Sequence, residues 1–332
     1  MSAPIQHGGG LAAAAALHGG RIEDWLDLST GINPCPPDLP AIPMRAWHRL
    51  PDRERELAAR EAARLYYRSG ERLPLPVPGT QSVIQLLPRL VPAGARVAVV
   101  SPTYGEYVRA FTVAGLAVDM VDDLEHVTAE HRLVVVVNPN NPDGRLHGRE
   151  RLRRLAESLA QRNGVLVVDE AFGDMQPDQS LAGDVSPNLI VFRSFGKFFG
   201  LAGVRLGFVI ADEPIAARFS DWLGPWAVSG PALILAEQLM TSDTDIIANR
   251  IRQRARALRD VLVTAGLTIR GGTDLFQLVE DAQAGDLHQH LCKHHILTRK
   301  FDYRPDWLRF GLAPDEASDR RLLDALASFR RL

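Results

Sequence analysis

Between residues 97 and 210 the sequence alternates short apolar runs with longer amphipathic stretches, and this alternation limits the possible folds more than any other feature. The apolar runs, rich in β-branched residues, cover residues 97–100, 133–137, 165–168, 189–192 and 204–210. Helical patterns separate them, for example at residues 103–114 and 149–162. Runs that are apolar on both faces and separated by helices predict a mainly parallel sheet covered on two sides. Ligands bind beyond the strand ends of such sheets.

The segments on either side of this core have a different character. The first 45 residues are rich in Gly and Pro and predict an extended arm with a short helix at residues 11–17. Trp25, Leu26 and Leu28 are too apolar to be left in water, so the arm is expected to lie across another part of the chain; a loose terminus is the alternative.

The C-terminal part predicts a smaller α+β domain, with helical patterns at residues 231–265 and 318–331 and two strand patterns between them. A further helix is predicted at residues 52–67, with Asp52 placed to cap its start. The expected domains are an arm over residues 1–45, a large α/β domain over residues 46–224 and a C-terminal domain over residues 225–332.

Composition excludes several classes of function. The 332 residues are 46% hydrophobic and 23% charged, which is an ordinary globular balance. The net charge of -2 gives no general attraction to nucleic acid or to an anionic membrane. With only Cys35 and Cys292, a disulfide framework is excluded, and a reducing compartment, the cytoplasm, is the expected location. No cluster of His, Cys and carboxylate residues at ligand spacing predicts a metal site.

One lysine lies in a stretch otherwise made of small and apolar residues, at positions 194–207. Ser194 precedes Lys197 by three positions, and Arg205 follows it by eight. A desolvated amine flanked by glycines suits Schiff-base chemistry on a flat ring, and Ser194 and Arg205 are placed to hold an anion attached to that ring. A Gly-rich loop with a snorkelling lysine is the structural alternative.

Other polar residues follow the predicted strands. Asp169 closes the run at 165–168, where a buried carboxylate needs a cation such as a protonated pyridine nitrogen, a metal or a structural ion pair. Asn141, in a loop held by two prolines, can donate to a phenolate oxygen, although composition alone indicates only a turn. Tyr104 can stack on a ring or simply pack.

The residues Pro78-Gly79-Thr80-Gln81 open a second helical pattern that runs through Leu90. A glycine followed by a hydroxyl residue at a helix start presents free N–H groups, which favours a phosphate. A tight turn without a ligand is the commoner meaning of such a sequence.

Together these motifs resemble the fold-type I pyridoxal-phosphate enzymes of the aminotransferase class I/II superfamily, near histidinol-phosphate aminotransferase. The Ser-x-x-Lys motif followed by Leu-Ala-Gly-x-Arg-x-Gly, over residues 194–207, carries a resemblance that spans nearly the whole chain. Within the superfamily, the arm is similar to that of the cobalamin-pathway threonine-phosphate decarboxylases. The matching arm segments are His7-Gly8-Gly9, Asp27-Leu28-Ser29 and Ile32-Asn33-Pro34.

The resemblance implies pyridoxal phosphate as cofactor and a role for each matching residue. Lys197 would carry the cofactor aldehyde, Asp169 would pair with the pyridine nitrogen, Asn141 would bond the ring hydroxyl and Tyr104 would stack on the ring. The implied phosphate-binding and neighbouring cofactor residues are Gly79, Thr80, Gln81, Ser194 and Arg205. The implied substrate-binding residues are Arg309, for the carboxylate, and His7 and Asn33, for the phosphorylated substrate.

The implied reaction is decarboxylation of L-threonine O-3-phosphate to (R)-1-amino-2-propanol O-2-phosphate for cobalamin biosynthesis. A histidinol-phosphate-type or other amino-acid aminotransferase would use the same residues and is the alternative. A regulatory module that binds the cofactor without turnover ranks lower, because the lysine is present. Relatives form dimers, so a homodimer acting on a small phosphorylated substrate is expected, without a nucleic-acid or membrane partner.

The chain departs from the family pattern at four positions. Phe172 stands where aminotransferases usually have a tyrosine, Gly196 replaces a common serine, Leu50 replaces a tyrosine that reaches the partner subunit's cofactor, and Asp143 replaces a usual threonine. The missing hydroxyl donors weaken the case for ordinary transamination. The candidates for holding the substrate phosphate stay open among Arg145, Arg299, Lys300 and Arg304.

Overall fold

The computed structural model of the chain describes residue 5, residues 7–184 and residues 186–329. The chain divides into two compact units. The large unit contains residues 37–141 and 146–245, and the small unit contains the arm up to residue 36, residues 142–145 and the residues from 246 onward. The domain boundaries predicted at residues 45 and 224 stay a proposal.

The described residues form thirteen strands and twelve α-helices, with single turns of 3-10 helix between them. The strands are β1 (Leu26–Asp27), β2 (Leu75–Val77), β3 (Arg96–Val100), β4 (Ala117–Val121), β5 (His131–Val137), β6 (Val165–Asp169), β7 (Leu189–Ser194), β8 (Gly207–Ile210), β9 (Ile269–Thr273), β10 (Phe276–Glu280), β11 (Ile296–Leu297), β12 (Arg299–Phe301) and β13 (Arg304–Gly311). The helices are α1 (Leu11–His18), α2 (Arg45–His48), α3 (Arg53–Tyr67), α4 (Thr80–Ile84), α5 (Glu106–Val113), α6 (Arg149–Ala160), α7 (Phe195–Phe198), α8 (Glu213–Leu223), α9 (Gly230–Met240), α10 (Asp245–Thr264), α11 (Ala284–Lys293) and α12 (Glu316–Ala327).

The large unit is built on a sheet with strand order β2-β8-β7-β6-β5-β3-β4. Strands β3 to β7 pair in parallel, and β8 runs antiparallel to both of its neighbours, β2 and β7. Its central residues have no exposed surface, as at Val135 and Val167, because helices cover both faces. The predicted mainly parallel α/β fold is confirmed.

Helix α3 shows how local sequence fixes the elements around this sheet. The side chain of Asp52 accepts a hydrogen bond from the Arg55 N–H at 2.9 Å, as expected of an N-cap. The helix buries its alanine face, including Ala59 and Ala63, and packs on α9. An ion pair between Arg55 and Glu237 at 2.5 Å ties the two helices at their partly exposed side.

The topology brings several chain segments to one edge of the sheet. Parallel strands end at the same edge, so the segments that follow β3, β5, β6 and β7 meet there. Strand β2 runs in the same direction as β7, and the reversed strand β8 starts where its neighbours end. The residues just after β2 and just before β8 therefore lie at the same edge.

The small unit contains an antiparallel sheet with strand order β12-β13-β10-β9. The arm joins this unit through β1, which pairs in parallel with β11, Leu26 lying opposite Ile296. Trp25, Leu26 and Leu28 are buried, as their apolar character predicts. The predicted short helix of the arm is present as α1.

Two structural features bear on partners. None of the helices formed by residues 7–184 and 186–329 has the length and apolarity needed to cross a lipid bilayer. Across the same described residues, no three His, Cys, Asp or Glu side chains are grouped so as to hold a metal ion.

Candidate active site

A pocket at the strand-end edge of the large unit is lined by all nine residues to which the resemblance assigns a cofactor contact. These residues are Gly79, Thr80, Gln81, Tyr104, Asn141, Asp169, Ser194, Lys197 and Arg205. They come together because they lie at or after the ends of strands of one sheet, or, for Arg205, just before the reversed strand β8. Their roles stay predictions, and the geometry of each one decides what the pocket can bind.

Lys197 lies in the one-turn helix α7, directly after Ser194 ends β7. Its Nζ atom lies 5.7 Å from the centre of the Phe172 ring, so the amine faces an apolar wall of the pocket. The neighbouring rings of Phe195 and Phe199 stack at 4.5 Å and are fully buried, which holds the short helix in place. Lys293 and Lys300 are the other two lysines of the chain, and both are exposed.

The glycine before this lysine is required by packing. A Cβ atom at Gly196 would lie 2.7 Å from the Cα of Ala202, in the 3-10 turn Ala202–Val204. Side chains do not approach backbone atoms that closely, so a serine at this position needs a shift of the backbone. The departure from the family pattern at Gly196 therefore follows from the close contact between α7 and this turn.

Asp169 is a buried carboxylate whose two oxygens accept hydrogen bonds from neutral donors. The Tyr107 hydroxyl donates to Oδ2 at 2.7 Å, and the Ala171 N–H donates to Oδ1 at 2.9 Å. Burial raises the pKa of Asp169, while these two hydrogen bonds and the charges of Lys197 and Arg193 act in the opposite direction. A cation placed against Asp169 in the pocket would stabilise its ionised form.

A chain of hydrogen bonds fixes the orientation of Tyr104. Its hydroxyl donates to Gln81 Oε1 at 3.1 Å, and Gln81 Nε2 donates to Glu106 Oε2 at 3.0 Å. Glu106 is buried, and its Oε2 accepts this hydrogen bond, so it determines which way the Gln81 amide faces. The ring of Tyr104 is thereby held at the pocket wall.

The loop that carries Asn141 is anchored at its base. Asn138 Oδ1 accepts from the His147 N–H at 2.7 Å, and Asn138 Nδ2 donates to the His147 carbonyl at 3.1 Å. Asn140 Nδ2 donates to the Pro102 carbonyl at 2.9 Å, which connects the loop to the segment after β3. The amide of Asn141 is therefore presented from a fixed backbone.

Gly79 and Arg205 both line the pocket and are in close contact with each other. Gly79 has a φ of 76°, and a Cβ atom there would lie 2.6 Å from Arg205 Nη2. Arg205 itself adopts the left-handed region, with a φ of 56°, which is uncommon for a non-glycine residue. Its Nη1 donates to the Ala202 carbonyl at 3.2 Å, so the guanidinium is held beside the Gly79 backbone. Gly79 is buried and Arg205 is exposed, so the guanidinium is the group of this pair that suits an anion.

The three predicted substrate-binding residues belong to the small unit. Arg309 is buried and its Nη2 donates to the Ser29 carbonyl at 2.9 Å. Burial, followed by the charge of Arg299, lowers the pKa of Arg309 to about 10. A buried guanidinium with a lowered pKa gains from an anionic ligand, which would restore the stability of its charged form.

The arm approaches the same serine. The Gly9 N–H donates to Ser29 Oγ at 2.7 Å, and a Cβ atom at Gly8 would collide with the Ser29 carbonyl oxygen. His7, at the start of this segment, is exposed. Asn33 is buried, and its side chain accepts from the Cys35 N–H at 2.9 Å and donates to the Cys35 carbonyl at 3.2 Å.

The chain is similar in sequence to proteins of a known family. The sequence model of the family described as "Aminotransferase class I and II" matches residues 23–326. The chain is 63% identical to a threonine-phosphate decarboxylase of Sinorhizobium sp over 98% of its length and 99% of the relative's. It is 43% identical to a threonine-phosphate decarboxylase of Pseudomonas aeruginosa, over 98% of each chain.

Among solved structures, the fold is similar to that of histidinol-phosphate aminotransferase from Sinorhizobium meliloti in complex with pyridoxal-5'-phosphate. The TM-score is 0.84 at 21% identity, over 98% of this chain and 95% of the other. At that identity the likeness bears on the fold alone.

Proposed function

Because the chain belongs to the aminotransferase class I and II family, we propose that it uses pyridoxal phosphate to decarboxylate L-threonine O-3-phosphate to (R)-1-amino-2-propanol O-2-phosphate. The family predicted from the sequence is confirmed. The observation that carries the reaction is the 63% identity to a threonine-phosphate decarboxylase over almost the whole chain. The product would serve cobalamin biosynthesis.

The pocket fits pyridoxal phosphate on three grounds that its own residues supply. Because Gly79 has no side chain, the guanidinium of Arg205 packs against its backbone in the pocket lining, where it suits a phosphate. The buried carboxylate of Asp169 gains from a protonated ring nitrogen, since burial otherwise raises its pKa. Lys197 provides the amine that captures an aldehyde.

The chemistry breaks one bond of the substrate and makes one in its place. When bound, pyridoxal phosphate accepts the electron pair that is left on Cα as the carboxylate departs as CO2. Asp169 would hold the proton on the ring nitrogen, the Asn141 amide would donate to the ring oxygen, and Tyr104 would stack on the ring. Lys197 Nζ then delivers a proton to Cα, which replaces the lost carboxylate.

The substrate has two anionic groups, and the small unit supplies residues suited to both. We propose that Arg309 binds the carboxylate, since its planar fork matches that group, and that His7 and Asn33 help to bind the phosphate. Arg145, Arg299, Lys300 and Arg304 are further candidates for the phosphate.

The reaction is tested by giving the purified protein threonine phosphate together with pyridoxal phosphate. We expect CO2 and aminopropanol phosphate in equal amounts, without any requirement for a 2-oxoacid. Conversion of histidinol phosphate that depends on 2-oxoglutarate, with no CO2 from threonine phosphate, would instead identify an aminotransferase. Cofactor binding without either reaction would identify a binding module.

Substitution of Gly79 tests whether its contact with Arg205 helps to hold the cofactor phosphate. We expect Gly79→Ala to weaken the binding of pyridoxal phosphate by about tenfold or more, because the added methyl group meets Arg205 and the φ of 76° disfavours alanine. Gly115→Ala is the matched control, since Gly115 also has a φ of 76° but has open space around its Cβ position. Equal cofactor affinity in the two variants would argue against a phosphate at Gly79.

We also propose a homodimer. Apolar side chains are exposed along one segment of the large unit, at Leu39, Met44, Trp47 and Leu50, where the exposed fractions are 58%, 72%, 62% and 66%. A partner subunit would cover such a surface. Sedimentation should give twice the chain mass, and a monomer at all concentrations would contradict the proposal.

A cytoplasmic location is proposed from the chemistry of the cysteines. Cys35 and Cys292 are both free thiols, which is the state that a reducing compartment maintains. Fractionation of cells is the measurement, and recovery with the secreted proteins would contradict it.

A further inference from the structure

Tyr107 is a tyrosine with no exposed surface whose hydroxyl contacts Asp169, a residue of the pocket lining. It lies in α5, three positions after Tyr104, and the two rings meet edge to face at 6.3 Å between centres. Its hydroxyl donates to Asp169 Oδ2 at 2.7 Å. Tyr107 does not line the pocket. The hydroxyl of Tyr107 therefore reaches the pocket through Asp169, while its ring contacts Tyr104 and would be kept in a Phe variant.

The direction of this hydrogen bond is fixed by the two groups involved. Burial and the nearby charge of Asp169 raise the pKa of Tyr107 well above its ordinary value, so its hydroxyl keeps its proton and donates it. A donated hydrogen bond stabilises the ionised form of a carboxyl group. The groups that act on Asp169 with it are the Ala171 N–H and the charges of Lys197 and Arg193, while burial favours the neutral acid.

We infer that Tyr107 is a positioning residue that keeps Asp169 ionised and directs it toward the pocket, and so sets how firmly the enzyme holds a protonated cofactor ring. The inference rests on the proposed function, because it requires that the pocket takes pyridoxal phosphate. Tyr107 would thus control the strength of the electron acceptor without touching cofactor or substrate.

The test needs a control that separates this role from simple packing in the core. Tyr66 provides that control. The Tyr66 hydroxyl donates to Asp174 Oδ1 at 3.0 Å, and Asp174 is a buried carboxylate that also lies 3.3 Å from Arg193 Nη2. Neither Tyr66 nor Asp174 lines the pocket. Tyr66→Phe therefore removes the same atom from the same kind of hydrogen bond at a different place.

The test measures the dissociation constant of pyridoxal phosphate by equilibrium dialysis for wild type, Tyr107→Phe and Tyr66→Phe between about pH 6 and pH 9. We expect Tyr107→Phe to raise the dissociation constant about tenfold near neutral pH, and Tyr66→Phe to leave it unchanged. The loss of affinity in Tyr107→Phe should become smaller as the pH rises. Without the hydrogen bond from Tyr107, the pKa of Asp169 is higher, so Asp169 ionises only at a higher pH, where binding recovers.

Two further readouts separate positioning from folding. With saturating cofactor, Tyr107→Phe should lower kcat and leave the KM for threonine phosphate unchanged, since Tyr107 does not touch the substrate. In an Asp169→Asn background, Tyr107→Phe should have no additional effect on cofactor affinity, because the charge that it stabilises is gone. Thermal unfolding of the apoproteins checks that both tyrosine variants are folded.

The outcomes are distinguishable. Tyr107→Phe binding pyridoxal phosphate as tightly as wild type at every pH would overturn the inference, as would an equal loss in Tyr66→Phe or an undiminished effect in the Asp169→Asn background. A wild-type protein that does not bind pyridoxal phosphate at all would overturn the proposed function, and the inference with it.

Discussion

Replacing Lys197 by alanine is expected to lower kcat/KM for decarboxylation of threonine phosphate by about 10³-fold or more. The substitution removes both the amine that captures the cofactor aldehyde and the group that returns a proton to Cα. The backbone of α7 should be preserved, because its position depends on the buried rings of Phe195 and Phe199 and on the contact of Gly196 with Ala202. Release of CO2 and amine from saturating substrate is the measurement.

Lys293→Ala is the control for this experiment, because Lys293 is exposed in the small unit and has no assigned role. It should keep wild-type activity. A Lys197→Ala protein with activity within about tenfold of wild type would show that Lys197 is neither the covalent amine nor the proton donor. The alternative of a snorkelling lysine in a Gly-rich loop would then hold.

The second large effect is expected from Asp169→Asn, which keeps the size of the side chain and removes its charge. We expect kcat to fall by about 10²- to 10³-fold, because the amide cannot hold a proton on the ring nitrogen by charge. The KM for threonine phosphate should change little, since Asp169 is assigned to the cofactor and not to the substrate. Steady-state kinetics with saturating pyridoxal phosphate make the measurement.

Asp174→Asn is the control for Asp169→Asn. It tests whether the fall in kcat results only from the replacement of a buried carboxylate. Like Asp169, Asp174 accepts a hydrogen bond from a tyrosine hydroxyl, and burial raises its pKa. Both variants should lower the midpoint of thermal unfolding, but only Asp169→Asn should lose turnover to this degree. Similar kcat values in the two variants would contradict the role assigned to Asp169.

The central strands could be predicted from sequence because their β-branched residues are apolar on both faces and fully buried. Two edge strands were missed for a physical reason. Strand β2 has three residues with Pro76 in the middle, and β4 includes the polar Asp119 and the exposed Met120. Strand β2 forms only through pairing with β8, and β4 only through pairing with β3. The local sequence pattern does not reveal this pairing.

Two predicted elements were wrong in their extent. The run at residues 204–210 predicts one strand, but Arg205 has a φ of 56° and β8 begins at Gly207. The turn that precedes β8 is determined by the close approach of Ala202 to Gly196. A pattern of apolar residues does not indicate such a contact. The helical pattern at residues 231–265 is two helices, α9 and α10, because Asp243 accepts from the Asp245 N–H at 3.0 Å and starts a new helix.

The pocket could be anticipated because its residues follow strand ends and match a specific motif. The roles of Tyr107 and Glu106 could not be anticipated. A buried tyrosine or glutamate early in a helix gives the same local sequence pattern whether it only packs or also orients a neighbouring side chain. Only the tertiary fold shows that Tyr107 reaches Asp169 and that Glu106 orients Gln81.

The most direct test of the account is to locate the cofactor on the chain. Wild-type protein saturated with pyridoxal phosphate is reduced with borohydride, which fixes a bound aldehyde on the amine that holds it, and is then digested and analysed by mass spectrometry. The chain has three lysines, and Lys197 is the one in the large unit, so the assignment is unambiguous. The account predicts one added pyridoxyl phosphate per chain on the peptide that contains Lys197. Modification confined to Lys293 or Lys300, or no modification under saturating cofactor, would contradict it.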